Sequence, residues 1–180
     1  MEESNVKVIF TEDAYNTIIS ETYHKDPAET GGILLGNSEN DTWYVIESIE
    51  PGPASIFRTH YFEYDHAFVN YVAKARARRY HLPLRVLGLW HRHPGSFDQF
   101  SSTDDETNRA FAKLSARGSL SGLVNLDPAF RLSLFHFDER LKYRKIDFTV
   151  SLKDIPQKFL RKKYEKYYLK GPSPANHGIE

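Results

Sequence analysis

Residues 88–105 read GLWHRHPGSFDQFSSTDD, and the rest of the chain is best read outward from them. His91 and His93 are separated by one residue, and after seven more residues comes Ser101-x-x-Asp104. On an extended strand side chains alternate, so His91 and His93 share one face while Trp90 and Arg92 take the other. Neutral imidazole and carboxylate suit Zn²⁺, and a catalytic zinc keeps three protein ligands and one open position. His91, His93 and Asp104 supply such a set. Ser101-x-x-Asp104, with Ser102-x-x-Asp105 and Thr103-x-x-Glu106 beside it, also has the form of a helix capping box. A helix is therefore expected to start here, but capping alone asks for no histidine pair upstream.

Just before the histidines, residues 84–90 form a nearly continuous apolar run broken only by Arg85, as expected of a strand buried on both faces. Pro83 ends the preceding helix. That helix is capped by Asp65, turns Phe68, Val69, Val72 and Ala73 to one side, and carries Lys74, Arg76, Arg78 and Arg79 at its end. Cations in the last turn complement the helix dipole, so this run reads as a solvated face rather than a nucleic-acid patch. Further upstream, residues 6–10 alternate as a strand, and Thr11 caps an amphipathic helix reaching about His24. Strands are expected over 33–35 and 42–49 around a polar turn at 37–41, with another over 55–63.

Downstream of the motif the pattern predicts a helix over 104–117, with Phe111 and Leu114 inward and Gly118 just past its end. Strands are expected over 120–126, 130–137 and 143–150. Between Lys153 and Lys170 seven Lys or Arg stand against two acids, interleaved with aromatics. The expected organisation is one domain over 1–150, a basic C-terminal helix over 151–170 and a disordered tail over 171–180.

With 180 residues, 40% of them hydrophobic, the chain is long enough for one sizeable core. Lys plus Arg equals Asp plus Glu at 24 each, so the overall charge gives no reason to expect nucleic acid or an anionic membrane as partner. There is no cysteine, which excludes disulfides, thiol nucleophiles and Cys-ligated zinc. The first residues, MEESNVKVIF, are acidic and lack a long apolar run, so neither signal peptide nor membrane span is read there and a cytoplasmic location is expected.

The His-x-His and Ser-x-x-Asp elements, together with a Glu in an earlier segment, resemble the pattern of JAMM (MPN+) metalloproteases. That early acid is present as Glu29 in PAETGGILLG, ahead of a small-residue turn and an apolar strand. The resemblance runs from about Val6 to Val150. It implies an α/β fold, a single MPN-type, cytidine-deaminase-like domain with a mixed central sheet flanked by helices. It also implies a Zn²⁺ cofactor on His91, His93 and Asp104, with Glu29 as general base and Ser101 as the hydroxyl that helps stabilise the tetrahedral oxyanion.

Characterised relatives mostly hydrolyse peptide or isopeptide bonds after the C-terminal glycine of ubiquitin or a ubiquitin-like protein. The resemblance therefore implies deconjugation or precursor processing of a ubiquitin-like partner. Some prokaryotic members accompany activating and conjugating enzymes in antiviral operons, which makes such enzymes expected partners too. The competing readings are processing of a sulfur-carrier protein and a non-catalytic zinc-containing binding module. DNA-repair-associated relatives share a similar His-x-His segment. The remaining histidines, His24, His60, His66, His81, His136 and His177, lack comparable spacing and read as structural or surface residues.

Overall fold

The computed structural model describes residues 6–161 apart from 60, 96, 139 and 141. Strand β1 (Lys7–Phe10) leads into helix α1 (Glu12–Lys25), whose N-cap Thr11 accepts a hydrogen bond from the Ala14 amide at 3.1 Å. Strands β2 (Gly31–Glu39) and β3 (Thr42–Ile49) form a hairpin. The turn is tighter than expected: the ladder runs out to Glu39 opposite Thr42, leaving Asn40 at φ 51° and Asp41 to reverse the chain. Residues 55–63 form two short strands rather than one, β4 (Ile56–Arg58) and β5 (Tyr61–Glu63), paired in a sheet of their own. Helix α2 (His66–Ala77) is capped by Asp65, as expected.

Strand β6 (Arg85–Arg92) carries the first histidine, and helix α3 (Ser102–Ala112) begins with the Ser101 capping box. Strands β7 (Ser119–Asn125), β8 (Arg131–Phe137), β9 (Tyr143–Ile146) and β10 (Phe148–Val150) follow. Helix α3 stops about a turn earlier than its pattern predicts, leaving Leu114 71% exposed. Gly118, at φ +79°, belongs to the turn into β7 instead of capping the helix.

Eight strands form one mixed sheet in the order β10-β1-β3-β2-β6-β7-β8-β9. The run over 143–150, expected as one strand, is two strands on opposite edges of that sheet, separated by Asp147 alone. Adjacent Cα atoms lie about 3.8 Å apart, so the two edges must meet at this residue and the sheet must curl. Helix α1 lies in the concave side, where Ala14 and Ile18 are buried with Val8, Phe10, Leu34, Trp90 and Leu134. On the convex side α2 covers β2 and β3, and α3 covers β6, β7 and β8.

A bulge keeps this two-faced packing consistent along β6. Leu34 pairs with Gly88 and Leu35 with Val86, so Leu87 is the extra residue. Leu87 and Trp90 then both face the concave core, while Leu89 joins Ile33 and Leu35 on the convex side. Burial on both faces holds from Leu87 onward. Val86 is 42% exposed because β7 joins β6 only from Gly88. Gly88 itself is required there, since a side-chain carbon would sit 1.8 Å from the Leu120 carbonyl oxygen.

Where a basic helix is expected, residues 151–161 form turns and a single 3₁₀ turn, Gln157–Phe159. Pro156 supplies no amide for a helix there, and Ile155 and Phe159 are instead buried on the convex side beside Tyr44 and Tyr80. Arg161 closes the segment with bonds to Tyr80 and Glu47. The rest of the expected helix and the tail lie outside the described residues. Arg76, from the basic run of α2, pairs with Glu50 at 3.2 Å and Glu47 at 3.5 Å. Among the described residues, no helix is long and apolar enough to cross a membrane.

Candidate metal centre

Strand β6 aims the histidines. Trp90 is buried on the concave side, where its indole N–H donates to the Ser48 hydroxyl at 2.9 Å. With Trp90 held inward, alternation turns His91 and His93 to the convex side beside the start of α3. The strand ladder ends at Arg92, but the His93 amide still donates to the Val124 carbonyl at 2.9 Å, which keeps the second imidazole in register.

Helix α3 brings the carboxylate. Ser101 Oγ accepts from the Asp104 amide at 3.2 Å, and Asp104 Oδ2 accepts from the Ser101 amide at 2.7 Å, the reciprocal pair of a capping box. The box fixes the Asp104 rotamer so that Oδ1 lies 3.3 Å from His91 Nε2 and Oδ2 lies 3.2 Å from His93 Nε2. The two Nε2 atoms are 2.9 Å apart. The side chains of His91, His93 and Asp104 are 10%, 13% and 19% exposed.

Three donor atoms at these separations fit a small cation. Zn–N and Zn–O bonds of about 2.0–2.1 Å in a tetrahedron put neighbouring ligand atoms about 3.3 Å apart. Two imidazole nitrogens and a carboxylate oxygen are also the donor types that zinc takes. Among the described residues this is the one group of three His, Asp or Glu side chains so assembled. Burial by itself would push the Asp104 carboxyl up, but hydrogen bonds from His91 and His93, the His91 charge and the Ser101 contact outweigh it. They hold the carboxyl well below the usual carboxylate range. Asp104 is therefore ionised and ready to bind a cation at neutral pH.

Glu29 lies two residues before β2. Gly31 pairs with His91 across the β2–β6 ladder, and the Arg92 amide donates to the Thr30 carbonyl at 2.7 Å. The ladder itself starts at Gly31; an unbroken register beyond it would set Glu29 opposite His93, on the face the imidazoles occupy. Its own amide donates to the Arg58 carbonyl at 2.9 Å, which ties it to the β4–β5 hairpin. The hairpin comes in close. A side-chain carbon at Gly31 would lie 2.8 Å from the Phe62 ring and 2.5 Å from the Trp90 carbonyl oxygen, so only glycine leaves room there. Ser101, exposed at the helix N-terminus, uses an oxygen lone pair on the Asp104 amide and keeps its hydroxyl proton free to donate.

The structure thus brings His91, His93, Asp104 and Ser101 together and sets the Glu29 backbone two residues beyond the Gly31–His91 pair. Reading the sequence did not single out Phe62 or the loop clamp at Asn125, and the small-residue turn expected at Gly31 and Gly32 is instead the start of β2. That buried amide donates to the Phe97 carbonyl at 3.1 Å and to Asp98 at 3.0 Å, and so holds the loop between the histidines and Ser101. An amide side chain ending a strand of otherwise small or apolar residues was the available signal for Asn125. The hairpin contact left no local signal at all. Of the other histidines, His136 is buried and donates to the Arg117 carbonyl at 2.9 Å, a structural role.

A family model described as prokaryotic homologs of the JAB domain matches residues 11–124. Among solved structures, protein DSY2949 from Desulfitobacterium hafniense, a solution structure, aligns with a TM-score of 0.61 at 16% identity. The alignment covers 81% of this chain and 95% of that one and is a likeness of fold. No curated protein matches the chain.

Proposed function

Because the chain belongs to the family of prokaryotic homologues of the JAB domain, we propose that it is a zinc-dependent hydrolase. Its substrate on this reading is the peptide or isopeptide bond after the C-terminal glycine of a cytoplasmic ubiquitin-like protein. The observation that carries the reading is the convergence of His91, His93 and Asp104, whose donor atoms all lie within 4.8 Å of one another.

His91, His93 and Asp104 would hold the metal. Bound zinc supplies Lewis acidity and lowers the pKa of its water to about 7. Glu29, on the same face, takes the water's proton as general base and delivers it to the leaving amine. An unbroken β2–β6 register would set it across from His93, which suits that role, since a base must reach the water without ligating the ion. The Ser101 hydroxyl donates to the oxygen that gains charge as the carbonyl is attacked. No side chain acts as nucleophile, so no acyl-enzyme forms.

The bond after a glycine tail fits the surroundings. Glycines in extended form carry no side chains to exclude from a narrow approach, and an extended peptide can pair with an unpaired sheet edge. The β4–β5 sheet beside Gly31 offers such an edge among the described residues.

The test is to incubate the zinc-loaded protein with fusions of ubiquitin-like proteins, with and without a chelator. Cleavage after the terminal glycine is expected, abolished by the chelator and restored by zinc. Glu29→Gln is expected to keep its zinc and lose at least ~10²-fold in rate. Fusions bound but never cut by the zinc-loaded protein would show a binding module instead and end the hydrolase reading.

A further inference from the structure

We propose that Arg92, which points away from the metal ligands, is a positioning residue that sets Glu29 against the imidazole pair. Arg92 lies between the two histidines in sequence, but alternation sends its side chain to the concave side, where it is 4% exposed. There its guanidinium reaches the segment joining α1 to β2. Nη2 donates to Asp26 Oδ1 at 2.5 Å and Nη1 donates to the Ala28 carbonyl at 2.6 Å. The Arg92 backbone amide adds the bond to the Thr30 carbonyl at 2.7 Å. One residue therefore grips positions 26, 28 and 30, on both sides of Glu29.

The grip is costly, which argues that it has a use. A guanidinium taken out of water loses hydration, and the Nε of Arg92 has no partner to offset that loss. An apolar side chain would fill the same space without the penalty. What an apolar side chain lacks is the planar fork, which can hold a carboxylate and a carbonyl at once with fixed geometry. Lysine, a single point donor, cannot reproduce it. From the other side, the Glu29 amide is held by the Arg58 carbonyl at 2.9 Å. The backbone at Glu29 is thus pinned between Arg92 beneath the sheet and the β4–β5 hairpin beside it. The same short strand segment that aims the two imidazoles also sets where the acid beside them can stand.

The effect on turnover rests on the hydrolase reading above; the effect on the backbone does not, and the experiment reads both. In the zinc-loaded full chain, Arg92→Met, Arg92→Lys and Asp26→Ala are compared with the native protein. The measurements are kcat and KM on a cleaved fusion, zinc content, and hydrogen exchange at the Glu29 and Arg92 amides. Arg92→Met is expected to lower kcat at least 30-fold, with KM and zinc content within twofold of native. Exchange at the two amides should rise at least tenfold while the amides of α3 stay unchanged. Arg92→Lys should fall between Arg92→Met and native. Asp26→Ala, which removes only the half-exposed end of the clamp, should lower kcat three- to tenfold. It decides the matter if Arg92→Met does not fold.

In a Glu29→Gln background, Arg92→Met should cost less than a further twofold, because both changes act through one carboxylate. A merely structural arginine would cost the same in both backgrounds and release zinc. That result, or native-like kcat and exchange in Arg92→Met, overturns the proposal. If the native protein cleaves nothing yet Arg92→Met still frees the Glu29 amide, the hydrolase reading falls and the clamp stands.

Discussion

Asp104 has two jobs, and replacing it with asparagine separates them. One is to cap α3, where Oδ2 accepts from the Ser101 amide at 2.7 Å; the other is to face His91 and His93 at 3.3 and 3.2 Å. Asparagine keeps one carbonyl oxygen for the cap and loses the negative charge. A lost N-terminal capping interaction costs about 0.5–2 kcal/mol, of which asparagine retains part, but the charge-assisted bonds from His91 and His93 are weakened too, so the metal-free variant should lose about 1–3 kcal/mol. For a domain of this size that is a drop of about 2–12 °C in Tm. Zinc, on the proposed reading, adds a separate effect. At a free concentration 100-fold above Kd it stabilises the native state by about 2.7 kcal/mol, or about 5–11 °C. If losing the charged ligand weakens binding 100-fold, the same zinc concentration gives the variant only about 0.4 kcal/mol, under ~2 °C. Calorimetric melting of native protein and Asp104→Asn, each in chelator and at that zinc concentration, reads all four values. Ser101→Ala is the control: it removes the acceptor for the Asp104 amide and should lower both melts by about 1 kcal/mol while leaving the zinc shift intact. A full zinc shift in Asp104→Asn would refute the assignment of Asp104 as a ligand. A loss above about 3 kcal/mol in chelator would refute the division of its two roles.

Gly31→Ala places a carbon 2.5 Å from the Trp90 carbonyl oxygen, and backbone in the middle of a ladder cannot yield. A stability loss of about 1–3 kcal/mol is expected in urea unfolding, and native-like stability would mean that β6 does not approach Gly31 as described. His136 tests pH dependence. Burial holds its imidazole below the usual histidine value, only partly countered by the Arg117 carbonyl it donates to. The unfolded chain therefore takes up this proton first as pH falls below about 6.5, and folding stability declines there by at most about 1.4 kcal/mol per pH unit. His136→Gln should remove that slope, so the stability of the variant relative to native should rise between pH 7.5 and 5. A pH-independent difference between the two would contradict the buried neutral imidazole.

Local features of the chain were legible where they repeat at a fixed short period. Thr11, Asp65 and Ser101 announce helix starts because each side chain caps an amide two or three residues on, and sequence displays that distance directly. The His-x-His spacing places two imidazoles on one face for the same reason, whatever strand lies alongside. Failures of the pattern also have local causes. The apolar residues after Ala112 kept a helical rhythm although the chain there was already turning toward β7, and the alternation over 143–150 carried no mark of the change of edge at Asp147.

From sequence alone came the candidate ligand types, the strand that presents two of them and the capped helix that presents the third. Pairing was left to the tertiary structure. Gly31 stands opposite His91 only because β2 runs antiparallel to β6 in one register, and a slip of one residue would turn the segment that carries Glu29 to the other face. The curl that brings the outer strands together at Asp147, the hairpin over Gly31 and the reach of Arg92 to Asp26 are likewise contacts between distant segments. Such contacts depend on how whole elements fill space around a shared core, and no short period in the chain encodes them.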